Sequence, residues 1–497
     1  MEKGATTPTD ITLILDAMAG HRGGVSEPTD VALIQSAYDF AKRAHEGQKR
    51  NSGEPYFSHV FSAGRNAAEF GMDATTIAAA LLHDTIEDTD VTYQQVEEEF
   101  SKEVADLVEG VTKLGHYKYQ GRERHVESLR KLFIASTKDV RVIIIKLADR
   151  LHNIQTLEHV KPEKQKRIAL ETIEVHANMA WRLGMGKLTG ELQDFAFPYA
   201  YPKEYEMTEK LLRQKKKTDE KYLEKVYKSL KKELALHGLA ENTTQSRIKR
   251  KYSLYKKLQR KDMDIEKIYD IVALRVLVPT VEDCYRVLGL VHNMWRPFPG
   301  RIKDYVAVPK MNGYQSIHTT IFTGDGGITE IQIRTPKMHH EAEYGIAAHF
   351  AYKNQSEQDT PELAWMKQLS AISKEGPKNF VKDLKTDFFN DRIFVFTPEG
   401  DVVDLPNGSS VIDFAFAIHS DIGMHATGAK VNGKFSALKT ALKTDDIVEI
   451  ETKDSAHPTS KWLDYAITAL ARRHIQRYMR DNSSSILGRF FGGGKKD

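Results

Sequence analysis

Up to about residue 200, apolar residues recur three and four positions apart, as in Ile168-Ala169-Leu170-Glu171-Thr172-Ile173 and Trp181-Arg182-Leu183, and this period predicts helices. Ile77-Ala78-Ala79-Ala80-Leu81-Leu82 reads as a packed helix. Lys210 to Glu233 is a charged helix that includes Lys215-Lys216-Lys217 and Lys231-Lys232, and a solvated connector is expected there rather than a nucleic-acid contact. The period then changes. Ile271 to Val278 is a β-branched, nearly continuous apolar run, the pattern of a central strand. Ile328 to Arg334 alternates, so Glu330, Gln332 and Arg334 share one face and Thr329, Ile331 and Ile333 the other. Asn354 to Pro361 reads as a linker. Beyond it, Ile393–Phe396 and Val402–Leu405 flank Pro398-Glu399-Gly400 as a hairpin, and Val411–Ile418 is an amphipathic helix. Asn432-Gly433 marks a tight turn, and Asp446–Glu451 closes a small sheet. The basic stretch Arg472–Arg480 is expected to be helical, and the glycine-rich end to be disordered.

Composition narrows the class. A chain of 497 residues is long enough for about three domains. Its 40% hydrophobic and 28% charged residues are ordinary for a globular protein. Lys+Arg 72 against Asp+Glu 69 leaves a net charge of +3, so attraction to polyanions must come from local patches. The single cysteine, Cys284, excludes an internal disulfide and a cysteine-based zinc cluster. No apolar run approaches the roughly 20 residues of a membrane span, and no signal pattern opens the chain. A cytoplasmic location without a membrane partner is the expectation.

The first candidate chemistry closes the apolar helix at His83-Asp84-Thr85-Ile86-Glu87-Asp88. A helix continued through this segment sets His83 and Glu87, and Asp84 and Asp88, one turn apart. With the distant His59 and Asp149, residues His83 and Asp84 make an N2O2 set suited to Mn²⁺, Fe²⁺ or Zn²⁺. A metal makes hydroxide available near neutral pH, and Glu87 and Asp88 are free to orient water or move a proton. Asn153, one turn after Asp149, can hold substrate or steady a ligand. The bland alternative is a solvated acidic helix end.

The second candidate surrounds the change of period. Asp270, at the entrance of the central strand, and Glu330 can together bind Mg²⁺ with phosphate oxygens. Arg247, Lys249, Arg250, Lys251, Lys256, Lys257, Arg260 and Lys261 gather nearby with Tyr252 and Tyr255 among them. A solvated basic helix and an RNA contact are the rival readings. Arg301-Ile302-Lys303-Asp304 and Lys310-Met311-Asn312-Gly313-Tyr314-Gln315-Ser316-Ile317-His318 form a second polar cluster, in which Gly313 permits a turn that presents Tyr314 for stacking on a base. A P-loop is not the phosphate holder here.

Three sets of motifs carry a resemblance. Gly47 to Tyr56, His83-Asp84 with Glu87-Asp88, and Lys146 to Asn153 resemble the HD phosphohydrolase domain of the RelA/SpoT homologue family, which governs the alarmone (p)ppGpp. The resemblance implies Mn²⁺ on His59, His83, Asp84 and Asp149, assistance by Glu87 and Asp88 in removing a 3′-pyrophosphate, and nucleotide contacts from Arg50 and Asn153. Asn51 stands where a lysine is usual, and Val60 where proline is common. Residues from about 200 to 352 resemble the family's synthetase domain. That implies guanine stacking by Tyr314, Mg²⁺ and catalytic roles for Asp270 and Glu330, and an ATP grip by Arg247, Lys249 and Lys257. Arg301, Lys303, Lys310, Asn312, His318 and Gln332 complete the implied substrate contacts. The Arg-x-Lys-Asp signature at 301–304 looks like the bifunctional type. At 246–251, Ser-Arg-Ile-Lys-Arg-Lys departs from a more usual Gly-Arg-x-Lys-His. The segment after Arg392 resembles a TGS domain, in which His419 of His419-Ser420-Asp421-Ile422-Gly423 is the implied tRNA contact, or else a helix-capping surface histidine.

The expected architecture is therefore multidomain. An all-α HD hydrolase domain (1–200) precedes an α/β, nucleotidyltransferase-like synthetase domain (201–353), a connector (354–390), a β-grasp TGS domain (391–453) and a basic tail (454–497). The resemblance implies an enzyme that makes and destroys (p)ppGpp from ATP and GDP or GTP, the two activities antagonistically coupled. Uncharged tRNA and the ribosome are the further implied partners. The alternatives are an enzyme with hydrolysis alone and a degenerate nucleotide- or tRNA-binding regulator.

Overall fold

The computed structural model describes residues 8–21, 27–112, 122–310, 312–324, 326–350 and 392–491. They belong to two compact units, Met1–Ser370 and Ala371–Asp497. The expected connector at 354–390 lies outside the described residues. The helical period of the first 200 residues becomes α1 (Thr12–His21), α2 (Pro28–Ala44), α3 (Phe57–Glu69), α4 (Ala74–Leu82), α5 (Thr85–Asp88) and α6 (Tyr93–Glu99). It continues as α7 (Lys102–Val111), α8 (Arg122–Ser136), α9 (Arg141–Gln155), α10 (Pro162–Glu171), α11 (Ala177–Arg182) and α12 (Gly186–Ala200), with one π-helical turn at Thr172–His176. Helix starts follow local rules: Asp73 caps α4 by accepting from Thr76 N at 2.7 Å, and Thr92 with Gln95 forms a capping box on α6.

Helices α3, α4 and α9 pack on one another at the centre, and every residue of α4 except Thr75 is buried. Small residues let them approach. A Cβ on Gly64 of α3 would meet Leu81 Cδ2 of α4 at 2.7 Å, so this position admits only glycine without moving Leu81. The close approach brings the segment after His59 against the segment before His83. Contrary to the continuous helix that the sequence suggests, α4 stops at Leu82. Thr85 Oγ1 donates to Leu82 O at 2.7 Å and His83 Nδ1 donates to Ala80 O at 2.8 Å, so side chains take the carbonyls that further helical turns would have used.

The α/β part comprises α13 (Pro202–Leu236), β1 (Thr243–Ile248), α14 (Lys251–Gln259), β2 (Val272–Leu277), α15 (Val281–Met294), β3 (Lys303–Asp304), β4 (Ile317–Phe322), β5 (Ile328–Arg334), α16 (Pro336–Tyr344) and α17 (Ala347–Phe350). The sheet order is β1-β2-β5-β4-β3; β2 and β5 run parallel and the other pairs antiparallel. One face holds Val272, Leu274, Val276, Ile317, Ile321, Ile331 and Ile333 in the core with Cys284, Val287 and Val291 of α15. The expectation of a solvated connector at 210–233 is wrong. Leu212, Leu223, Val226, Leu230 and Leu234 of α13 join the same core. Each buried side chain of this kind contributes roughly 1.5–3 kcal/mol, which outweighs the high lysine content of the opposite face. The other face of the sheet is polar, because period-two strands turn Arg247, Arg275, His318, Glu330, Gln332 and Arg334 to one side.

In the second unit, β6 (Arg392–Phe396) pairs with β7 (Val402–Pro406), and β8 (Ala426–Val431) lies between β9 (Lys434–Ser436) and β10 (Val448–Thr452). A parallel bridge from Phe396 to Ile447 joins the two ladders into one grasp around α18 (Val411–Ile418), which is followed by α19 (Ser420–His425). The Asn-Gly turn is as expected, with Asn432 at φ 51° and Gly433 at φ 77°. Buried Asp413 of α18 accepts from Ser410 N at 2.9 Å, Ile467 N at 2.9 Å and Thr468 N at 2.8 Å. That anchor leads into α20 (Ala469–Phe491), whose Ala471 and Ile475 enter the grasp core. The basic stretch is helical, and part of it is core.

Candidate functional site

The first site lies where α3, the α4–α5 turn and α9 meet. His59 Nε2 is 3.2 Å from Asp84 Oδ2 and 3.3 Å from Asp149 Oδ1; His83 Nε2 is 3.2 Å and 3.8 Å from the same two oxygens. A divalent ion bonded at about 2.0–2.2 Å holds neighbouring donors about 3.0–3.6 Å apart, so this spacing fits one ion. His83 Nε2 is buried and makes no hydrogen bond. Its Nδ1 is committed to Ala80 O, so in the neutral ring Nε2 carries the lone pair, and it faces the two carboxylates. Burial works against charge on Asp84 and Asp149, yet electrostatic and hydrogen-bond interactions outweigh it and hold both carboxyls well below their usual range: those with His83 and His59 for Asp84, and those with Lys146 and then the same histidines for Asp149. The donor set can hold a divalent metal.

Further residues orient the donors. Lys146 Nζ donates to Asp149 Oδ2 at 2.5 Å, and Asn153 Nδ2 donates to Asp149 Oδ1. Arg50 Nη2 donates to Asn153 Oδ1 at 2.8 Å, which brings the two expected nucleotide contacts together. Tyr56 OH is 2.8 Å from Asp84 Oδ2 and 2.7 Å from Asp88 Oδ2, linking a ligand carboxylate to an exposed one. Glu87 is half-buried beside it. Asn51 is exposed in the loop closed by the Lys49–Pro55 bridge, and Val60 is buried in the first turns of α3. Tyr56, Lys146 and His152 escape a reading by ligand type. Each nevertheless sits three positions from a ligand, Tyr56 before His59 and Lys146 and His152 on either side of Asp149, which is the signal that could have found them.

The second site is the polar sheet face. Lys249 Nζ donates to Asp270 Oδ2 at 2.6 Å and Lys257 donates to the same oxygen. Burial alone would raise the Asp270 pKa; the two ammonium groups reverse that and keep its carboxyl strongly acidic. Across the sheet, Arg247 Nη1 donates to Gln332 Oε1 at 3.2 Å and Gln332 Nε2 donates to Glu330 Oε1 at 2.7 Å. His318 Nδ1 lies 3.5 Å from Glu330 Oε1, and Tyr314 OH is 2.8 Å from His318 Nε2. Burial and four surrounding cations keep His318 neutral, so Tyr314 OH donates to Nε2 while Nδ1–H faces Glu330. Asp270 and Glu330 thus belong to different networks, one on paired lysines and one on the amide–imidazole chain. Gly313 sits in a turn at φ 72°, and the half-buried Tyr314 that follows it has Lys310 Nζ 4.8 Å from its ring centroid.

The remaining residues lie at the rim. Arg301 is exposed with its guanidinium 5.9 Å from the Tyr269 and Phe298 rings. Lys303 is exposed opposite His318 on the edge strand. Asn312 Nδ2 donates to Trp181 O at 3.1 Å, tying the turn before Tyr314 to α11. In the second unit, His419 is exposed and its Nδ1 accepts from Asp421 N at 3.2 Å, the capping role weighed as its alternative. Among the described residues no helix is long and apolar enough to cross a membrane.

Comparison with known proteins agrees with this order of parts. Family models match at 37–186 (HD domain), 246–357 (region found in RelA/SpoT proteins) and 393–452 (TGS domain). The guanosine-3′,5′-bis(diphosphate) 3′-pyrophosphohydrolase of Aquifex aeolicus is 44% identical over 457 residues, 91% of this chain and 65% of that protein. The GTP pyrophosphokinase of Myxococcus xanthus is 43% identical over 472 residues, 93% of this chain and 62% of the relative. The bifunctional (p)ppGpp synthase/hydrolase SpoT of Escherichia coli K12 is 40% identical over 481 residues, 94% of this chain and 68% of the relative. The chain thus spans 62–68% of the length of these relatives. Identity at this level across all three matched regions means that the chain belongs to the RelA/SpoT family.

Proposed function

We propose that this chain is a bifunctional alarmone enzyme of the stringent response. One site transfers pyrophosphate from ATP to the 3′-OH of GDP or GTP, and the other hydrolyses the 3′-pyrophosphate of (p)ppGpp. The observation that supports the reading is two separate polar sites on one chain, a buried group of His59, His83 and Asp149 with Asp84 beside both histidines, and a sheet face with its own acids and cations.

In the hydrolase site, Mn²⁺ on His59, His83, Asp84 and Asp149 would polarise the phosphate and lower the pKa of water. Arg50 and Asn153 bind the nucleotide. Glu87 and Asp88 orient the water and take its proton as its oxygen attacks phosphorus and the bond to the 3′-oxygen breaks. In the synthetase site, Mg²⁺ at Asp270 and Glu330 would neutralise the phosphates. Arg247, Lys249 and Lys257 hold ATP, and Tyr314 stacks on guanine. Arg301, Lys303, Lys310, Asn312, His318 and Gln332 line the remaining substrate contacts. Glu330 removes the 3′-hydroxyl proton as that oxygen attacks the β-phosphorus and AMP leaves. Because simultaneous operation would only consume ATP, the two activities are antagonistically regulated. His419 is the contact for uncharged tRNA, at the ribosome.

The test is anion-exchange separation of nucleotides after incubation with ATP, GDP and Mg²⁺, followed by Mn²⁺. The expected result is formation of ppGpp and AMP, then loss of ppGpp to GDP. No ppGpp, together with survival of added ppGpp, would overturn the reading in favour of a binding protein.

A further inference from the structure

Helix α14 delivers Lys257 to Asp270. Lys249 reaches the same carboxylate from a main chain already tied to the sheet, since its own N donates to Ile271 O at 2.8 Å. Lys257 instead rides on α14, so its reach depends on where that helix starts. The start is capped from another helix. Arg250, which precedes the first turn, makes no side-chain capping bond, and the first turn holds no acid. Asp194 of α12 supplies the acceptor: its Oδ1 takes a hydrogen bond from Tyr252 N at 3.0 Å, across 58 positions of sequence. The first N–H groups of a helix have no partner within it, and a carboxylate placed there also faces the positive end of the helix dipole.

Close packing holds the two helices in this arrangement. Phe197, one turn beyond Asp194, stacks on Tyr255 with ring centroids 5.2 Å apart and meets Tyr252 edge-on at 5.3 Å; all three are buried. A Cβ on Gly190, one turn before Asp194, would lie 2.2 Å from Arg250 Cδ. Glycine thus leaves the room in which Arg250 lies against α12, where its Nη2 donates to Lys187 O at 3.3 Å. Arg250 Nη1 stands 3.8 Å from Asp194 Oδ2, beyond hydrogen-bond reach. Burial raises the Asp194 carboxyl above its usual range, and the Tyr252 N–H, then Arg250 and Lys251, oppose that rise. Helix α13 holds α14 as well, through Lys251 Nζ at 2.7 Å from Glu209 Oε1, but these side chains are 33% and 29% exposed and such a pair contributes little. The guanine side is held elsewhere, where Asn312 Nδ2 donates to Trp181 O at 3.1 Å.

We infer that Asp194 is a positioning residue for pyrophosphate transfer: by capping α14 from α12 it holds Lys257 beside Lys249 on Asp270, where the two ammonium groups grip ATP. The inference rests on the synthetase reading above. Asp194 touches neither substrate, and its effect runs through the helix start. Loss of the cap lets the first turn of α14 fray and Lys257 drift, while the turn before Tyr314 and the metal set around His83 keep their own supports. The defect therefore falls on ATP alone.

The test is initial-rate synthesis of ppGpp by the full chain at varied ATP and at varied GDP, with ppGpp hydrolysis measured alongside, for the wild type, Asp194→Ala and Asp194→Asn. Asp194→Ala should raise the KM for ATP about 2- to 30-fold, the range for a lost cap, and leave the KM for GDP and the hydrolysis rate within about 2-fold. Asparagine keeps an acceptor oxygen for Tyr252 N, so Asp194→Asn should hold the KM for ATP within about 2-fold of the wild type. If Asn fails as Ala does, the charge facing Arg250 matters and the cap does not. An equal rise in both KM values, or a parallel loss of hydrolysis, would mean general loosening of the fold. Either result overturns the inference. If Asp194→Ala does not fold, Asp194→Leu fills the volume without an acceptor and should show the same ATP-selective rise. A wild type that makes ppGpp while neither Ala nor Leu changes the KM for ATP would refute the positioning role alone. A wild type that makes none would remove the synthetase reading with it.

Discussion

Lys249 donates to Asp270 at 2.6 Å from a buried position, where desolvation outweighs the attraction of the carboxylate and lowers the ammonium pKa to about 8. The group is charged below that pH and neutral above it. If it grips ATP, the KM for ATP should be flat in the neutral range and rise above about pH 8, by up to about tenfold per unit. Lys249→Arg, which stays protonated, should abolish the rise. A wild-type KM that stays level to about pH 9.5 would remove Lys249 from ATP binding.

His59 Nδ1 lies 2.9 Å from His152 Nδ1, and Arg50 Nη1 lies 3.1 Å from the same His152 nitrogen. Arginine can only donate, so His152 Nδ1 accepts and His59 carries its proton on Nδ1. Burial, then His59 and Arg50, lower the His152 pKa to about 3, which keeps this acceptor neutral. His59 Nε2 is thereby left as the lone pair facing the metal set. His152→Ala should weaken Mn²⁺ binding about 10- to 100-fold while ppGpp synthesis is retained. The readout is Mn²⁺ titration by electron paramagnetic resonance, and unaltered affinity would count against the relay.

Asn51 is exposed in the loop beside Arg50. Asn51→Lys should change folding stability by less than about 0.5 kcal/mol, because the position touches no core. The added charge should lower the KM for ppGpp several-fold. Steady-state hydrolysis at two salt concentrations checks this, since the gain should shrink as salt screens the contact.

Gly345 follows α16 at φ 57°, and a Cβ there would lie 2.1 Å from Leu183 O and 2.4 Å from Gly184 C, both backbone atoms. Ile346 N donates to the same Leu183 O at 2.9 Å, so the main chains touch directly at this junction. Gly345→Ala should cost about 2–4 kcal/mol of stability, read as an earlier urea midpoint. An unchanged midpoint would mean that the junction yields without strain.

Periodicity and ligand chemistry made much of this molecule legible. The central strand β2, the shared face of Glu330, Gln332 and Arg334, the Asn432-Gly433 turn and the His83-Asp84 pair all follow from residues close in sequence. The 210–233 helix was legible as a helix but not as core, because a lysine-rich surface masks the leucines on its other side. The break at His83 depends on two side chains competing for carbonyls, which a period cannot register.

By itself the sequence determined the elements, their order, the candidate ligands and the family, because helix and strand periods, turn chemistry and motif spacing are local properties of the chain. Only the tertiary structure decided that Arg50 and His59 meet at His152, that Lys249 and Lys257 share Asp270, and that Arg275 and Arg334 divide one Glu343 oxygen. Those contacts join residues from different helices and strands. Their protonation and charge balance follow from burial and distance, which exist only after the chain has packed.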